Sequence, residues 1–207
     1  MKKMLVISLA MFLPMIVMGC FVRGTFVNAN DLSYYPVASA GTYIIDALEN
    51  SYEVIGERSS YILKVRCKTD SQFVFKRTYQ EVEVLEVFRG NSDVKKGDVI
   101  NISPAASYIF DDDGSINMGF INEMQVEKEY LVFLDVPKTS VELGISIYPT
   151  VEFIMTMIFA YDEIENTVAP MGYVPYTEVE SCEIFADSKR SINKFLRIKA
   201  ELLNKYN

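Results

Sequence analysis

Apolar positions along this chain change their period from one stretch to the next, and the changes divide it into elements. From Thr42, Ile44, Ile45 and Leu48 recur at helical spacing and predict a short helix running through about Asn50 to Gly56. After Ser59-Ser60 the pattern turns to strands. Tyr61–Cys67 reads as one, Asp70-Ser71-Gln72 as a turn, and a long strand follows from about Phe73 to Arg89. Within it, Val82 and Val84 share a face, whereas Leu85 and Val87 fall on the opposite parity. A one-residue change of phase predicts a β-bulge, which bends and twists a strand as small barrels require. Further strands are predicted at Val99–Ser103, Tyr130–Val136 and about Thr150–Tyr161, with turns at Arg89-Gly90-Asn91 and Lys96-Gly97-Asp98.

Two segments carry extra information. Val151–Tyr161 is apolar on both parities, with Val151, Phe153, Met155, Met157 and Phe159 on one and Ile154, Ile158 and Ala160 on the other. It is too short to cross a bilayer as a helix and reads as a strand buried on both faces. From about Ser188 an amphipathic helix is predicted, with Ile192, Phe195, Leu196, Leu202, Leu203 and Tyr206 near one side.

The first residues read as an export signal. Lys2 and Lys3 supply a positive start, Met4–Met18 an apolar stretch broken by Ser8 and Pro14, and small Gly19 precedes Cys20. The order Val17-Met18-Gly19-Cys20 resembles a bacterial lipobox, which implies acylation of Cys20 and a lipid anchor in the bacterial cell membrane. Two alternatives stay open: an uncleaved anchor, since the uncharged run Met4–Val22 is just long enough for a spanning helix of about 17–25 residues, and cleavage with release. All three place the body outside the cytoplasm. The expected organisation is a signal peptide over 1–19, a lipid-attachment Cys and tether over 20–41, and one domain over 42–207.

Composition narrows the chemistry. The 207 residues include no His and no Trp, so Ser-His-Asp and Cys-His pairs, His-containing zinc sites and an imidazole switch are excluded. The net charge of −8 disfavours nucleic acid as a partner. Basic residues gather late, at Lys189, Arg190, Lys194, Arg197, Lys199 and Lys205. Either this basic side of the last helix leans on an acidic body, the preferred reading, or it faces anionic lipid headgroups. With Cys20 acylated, Cys67 and Cys182 remain as an even pair in a disulfide-permissive compartment. They are candidates for a bridge or for two buried free thiols.

Tyr79-Gln-Glu-Val-Glu-Val-Leu-Glu-Val-Phe-Arg-Gly90, then Lys96-Gly97-Asp98-Val-Ile100, then Glu129-Tyr-Leu-Val-Phe-Leu134 together resemble the core of exported bacterial OB-fold domains. They are also similar to the netrin-like module of tissue inhibitors of metalloproteinases. The resemblance covers about residues 60–160 and implies a mainly β fold. The expected form is a small OB-like, netrin-like barrel with a short N-terminal helix and a C-terminal amphipathic helix. It implies no function, because this barrel hosts many. The inhibitors act through an N-terminal Cys-x-Cys; here Cys20-Phe21-Val22 lacks the second Cys, so no inhibitory residue carries over.

No catalytic constellation stands out. Asp111, Asp112 and Asp113, followed by Gly114, form the densest carboxylate cluster and a candidate calcium loop, but an EF-hand register would put Ile109 and Phe120 where carboxylates are needed. There is no P-loop or dinucleotide fingerprint. Of 13 Tyr and 13 Phe, most should pack in the core, and Tyr34, Tyr35, Tyr173 and Tyr176 are the candidates for an exposed recognition surface. The leading expectation is a non-catalytic, membrane-tethered, extracytoplasmic binding domain. It needs no cofactor or metal and has a protein or cell-envelope partner. The alternative is a hydrolase working without His, through a carboxylate pair or a Ser-Lys dyad.

Overall fold

A computed structural model describes residues 15, 18–19, 32–39, 41–74, 77–103, 109–110, 115–117, 122–140, 143–151, 156–169 and 172–207. In chain order these form β1 (Pro36–Ala38), α1 (Thr42–Arg58), β2 (Tyr61–Cys67), β3 (Gln72–Val74), β4 (Arg77–Arg89), β5 (Val99–Ser103), β6 (Ile109–Phe110) and β7 (Ile116–Asn117). There follow β8 (Glu129–Leu134), β9 (Lys138–Ser140), β10 (Ile145–Pro149), β11 (Ile158–Ala160), β12 (Asn166–Val168), β13 (Tyr173–Pro175), β14 (Ile184–Ala186) and α2 (Lys189–Lys205). Among the described residues the fold is mainly β, with α1 and α2 laid against a multistranded sheet.

The main sheet runs β11-β8-β2-β4-β5-β10-β9, with β3 paired to β4 off this path. Its pairings are antiparallel except for β5 with β10, which run parallel through Asn101–Ser103 and Ile147–Pro149. The sheet is curled. Just past β10, Thr150 bridges Leu134 of β8, Asp135 N donates to Pro149 O at 2.9 Å, and Val151 N donates to Phe133 O at 3.2 Å.

The bulge expected from the phase change is present. Opposite β2, the partners run from Val65–Val84 to Lys64–Glu86, which leaves Leu85 unpaired, and from Leu63–Val87 to Ile62–Arg89, which leaves Phe88 unpaired. The extra residue at Leu85 resets the parity, so Val87 returns to the core-facing side of the fully buried Val82 and Val84 while β4 bends. At the end of β4, Arg89 turns its guanidinium onto the carbonyls of Gly56, Glu57 and Ser59 at 2.8–3.3 Å. It thereby satisfies acceptors that the last turn of α1 leaves open. Gly90 then passes so close to Tyr61 that a Cβ there would lie 2.9 Å from the ring, which a side chain could occupy only by displacing it.

Three expectations are corrected. The single strand from Phe73 to Arg89 is instead a hairpin: β3 folds back on β4 with Gln72 opposite Tyr79 and Val74 opposite Arg77. Of the strand expected over about Thr150–Tyr161, the described residues show β11 and the bridge at Thr150, with Val151, Thr156 and Met157 outside any strand, and residues 152–155 lie outside the described residues. The end of the expected tether belongs to the fold. β1 pairs with β13 and β7, and Val37 is fully buried in a second small core with Leu32, Ile116, Ala169, Tyr176, Val179 and Phe185.

α2 is fastened to the sheet by aromatic rings. Phe195 stacks on Phe159 at 5.6 Å, Phe159 meets Phe133 edge-on, and Tyr206 packs against both Phe133 and Phe88. Ser188 caps the helix, its side chain accepting from Ser191 N. On the flank toward α1, Lys194 pairs with Asp46 at 2.6 Å and Glu49 at 2.7 Å, and Arg197 pairs with Glu49. These contacts agree with a basic helix leaning on an acidic body.

Candidate functional site

The next face of α2 opens a groove. Leu196, Lys199, Ala200 and Leu203 lie at i, i+3, i+4 and i+7, a single helical stripe. Facing them is the segment Tyr161-Asp162-Glu163-Ile164-Glu165, which leads from β11 towards β12. Between the two lies a cavity of about 560 Å³, within the range of about 300–1,000 Å³ found for small-ligand sites. Leu196, Ala200, Leu203 and Ile164 supply its apolar lining, and carboxylates line the side opposite α2.

A buried ion pair closes the wall behind. Glu183, just before β14, is 4% exposed. One of its oxygens accepts from Ala160 N at 2.8 Å and the other from Lys199 Nζ at 2.5 Å. Burial holds the Glu183 carboxyl above its usual range, against the opposing pull of the Lys199 charge, its hydrogen bond and the Ala160 N–H. Lys199 also reaches Asp162 O at 3.5 Å, a second contact for its ammonium. On the rim, Asp162 accepts from Glu129 N at 3.1 Å and lies 3.8 Å from Lys128. Glu163 and Glu165 are exposed and have no ion-pair partner among the described residues. Tyr161 sends its hydroxyl to Tyr206 O and receives Lys64 over its ring at 4.3 Å, which fixes the mouth of the groove to the sheet.

Other polar clusters serve the fold. The Asp187 carboxylate accepts from Thr42 N at 2.7 Å, from the Thr42 hydroxyl at 2.8 Å and from Ser191 Oγ at 2.8 Å, so it caps α1 and joins it to α2. Burial pushes this carboxyl up, but the hydrogen bonds from Ser191, Thr42 and Ser188 outweigh it and leave it below the usual range. Buried Gln80 holds Met124 from both sides, donating to its O at 2.7 Å and accepting from its N at 3.0 Å. Buried Asn122 donates to the carbonyls of Val179, Glu180 and Cys182 and accepts from Tyr176 Oη.

The residues singled out from sequence do not converge on one site. Cys20, Asp111, Asp112 and Asp113 lie outside the described residues, as does the Tyr34 side chain. The candidate bridge is not formed: Cys67 and Cys182 are both buried free thiols. Cys67 Sγ is engaged with Thr69 O at 3.3 Å, Met124 O at 3.6 Å and Gln80 Nε2 at 3.3 Å, and burial pushes the thiol up to about 12. Tyr176 is corrected from recognition surface to core. It is 8% exposed, its hydroxyl is tied to Asn122, and burial raises it strongly. Tyr35 is half-buried against the second core, and Tyr173 alone of the described three is exposed, at 49%. Among the described residues no group of acidic and Cys side chains could hold a metal, and no helix is long and apolar enough to cross a membrane.

The groove was missed in sequence, although two signals point to it. Glu183 is a lone carboxylate in the otherwise apolar run Cys182–Ala186, and the acidic run Asp162–Glu165 follows a doubly apolar stretch directly. Neither a family model nor a curated protein matches this chain.

Proposed function

We propose that this chain is an exported, membrane-tethered, non-catalytic binding domain built on an OB-like barrel, and that it receives a protein or cell-envelope partner in the groove beside α2. The barrel reading is supported by the circuit β8-β2-β4-β5-β10, its one parallel pair β5–β10, and the contacts that return β10 to β8. Export and tethering rest on Lys2, Lys3, the apolar stretch Met4–Met18 and Cys20.

One observation carries the binding reading. Two of the charged groups that line the groove are already engaged by the wall behind it, Lys199 by Glu183 and Asp162 by Glu129 N and Lys128, while Glu163 and Glu165 are solvated and the apolar stripe is open. A surface of that kind holds a ligand by burial instead of presenting an activated group to it.

The experiment places a photo-crosslinking residue at Leu196 and, as a control, at Val99, an exposed position on β5. Each chain is irradiated in a bacterial envelope extract. A discrete adduct at Leu196, absent at Val99 and abolished by Ala200→Glu, is expected. Equal labelling at both positions overturns the reading. For the tether, Cys20→Ser should move the chain from the membrane to the soluble fraction and prevent incorporation of a labelled fatty acid.

A further inference from the structure

We infer that the occupant of this groove is a basic peptide segment of a partner protein, an aliphatic or aromatic anchor flanked by Lys or Arg. This rests on the binding reading above and adds the chemistry of the partner. The argument is one of charge and shape together. The lining supplied by Leu196, Ala200, Leu203 and Ile164 accepts apolar side chains, and about 560 Å³ admits a few of them but not a whole helix. Such an anchor is recognised by the apolar area it loses to water.

The rim selects what flanks the anchor. Asp162, Glu163 and Glu165 line the groove along the side opposite α2. Among the described residues, Asp162 alone of these has an ion-pair partner, Lys128 at 3.8 Å. The one cation in the lining, Lys199, is paired with Glu183 at 2.5 Å, so that the pair adds no net charge to the groove. An anionic segment therefore meets uncompensated carboxylates, whereas Lys or Arg beside the anchor meets Glu163 and Glu165 at its own distance from the lining. Charges arranged in this way suppress wrong partners and speed the encounter with right ones.

The test uses dye-labelled peptides of one leucine pattern whose flanking residues are all Lys, all Gln or all Glu, followed by fluorescence anisotropy with the full chain. The Lys peptide is expected to bind saturably, and to weaken as salt rises beyond about 0.1 M, where screening acts within about 10 Å. Glu163→Lys with Glu165→Lys should lower its affinity about tenfold, two rim charges being reversed. Glu178→Lys with Glu180→Lys changes the net charge equally but lies by the second core, and should change the affinity less than about twofold. Ala200→Glu should abolish binding.

Equal losses from the two double variants would mean attraction to the whole acidic molecule, and the inference falls. It also falls if the Gln or Glu peptide binds as tightly as the Lys peptide, or if none of the peptides binds while crosslinking at Leu196 succeeds. In those last cases the groove remains a binding site. If neither peptides nor crosslinking report occupancy, both the inference and the binding reading are overturned.

Discussion

Replacing Lys199 with Met removes the cation from a buried pair and leaves its partner in place. The Glu183 and Lys199 side chains are 2% and 12% exposed, so solvent screens their interaction little. Breaking such a pair from one side costs about 3–5 kcal/mol, because the remaining charge has lost its partner and cannot reach water. In a domain of this size that is a fall in Tm of roughly 6–20 °C. The loss depends on pH with a definite sign. Glu183 already titrates above its ordinary value of 4.5, and Lys199 is one of the groups that hold it down. In the variant the folded-state value rises further. The folded state then binds the proton more tightly than the unfolded state does, so this group's contribution is present below the ordinary value and is lost as pH rises through the folded one. Lys199→Met should therefore be most destabilised near neutral pH and recover as pH falls toward that of an ordinary carboxyl. The assay is urea unfolding at several pH values, with a shifted midpoint and an unchanged slope. Adding Glu183→Gln should return most of the loss at neutral pH, because Gln still accepts from Ala160 N and no charge is stranded. If the single and double variants are equally destabilised, and equally so at every pH, the pair acts only through packing and the reasoning is wrong.

Three further outcomes are expected. Asp187→Ala should cost about 1–2 kcal/mol by removing the cap of α1. Because the Asp187 carboxyl lies below its usual range when folded, wild-type protein should lose this contribution as pH falls through the folded value, whereas the variant should show no such step in an acid melt. In a Cys20→Ser chain, Cys67 and Cys182 should resist a thiol reagent while folded and both react in denaturant without reductant; one disulfide recovered after denaturation would contradict the free-thiol arrangement. Gln80→Ala should cost about 2–4 kcal/mol by stranding Met124 N in the interior and leaving Met124 O only the weak Cys67 thiol donor, and an effect under about 0.5 kcal/mol in a chemical melt would refute that role.

Residue pattern revealed those parts of the fold that depend on neighbours in sequence. The two helices, β2, β5 and β8 followed from periodicity, and the bulge at Leu85 followed from a change of parity within β4. Elements of two or three residues did not. β1, β7 and β13 are held by pairing across long sequence separations, and nothing local in Pro36-Val-Ala38 distinguishes a strand from a tether. The hairpin β3–β4 was hidden because apolar and β-branched residues continue through it. The groove was hidden for a related reason. Leu196 and Leu203 were visible as one side of a helix, but which part of that side packs and which part stays open depends on where β11 delivers the Tyr161–Glu165 segment. Tyr176 illustrates the reverse case: a tyrosine between a Pro and polar residues reads as surface until Asn122 is placed against its hydroxyl.

The aromatic fastening of α2 also constrains the order in which the chain can acquire its structure. Phe133 and Phe159 are fully buried, yet the rings that cover them, Phe195 and Tyr206, come after every strand of the main sheet in the direction of synthesis. A chain emerging residue by residue cannot complete the cover of those two rings until the last helix is delivered. The same delivery brings Lys194 to α1 and Lys199 to Glu183. Until then the strands lack the surface that closes their core, so the aromatic fastening and both ion-paired contacts are completed in one step, when α2 docks.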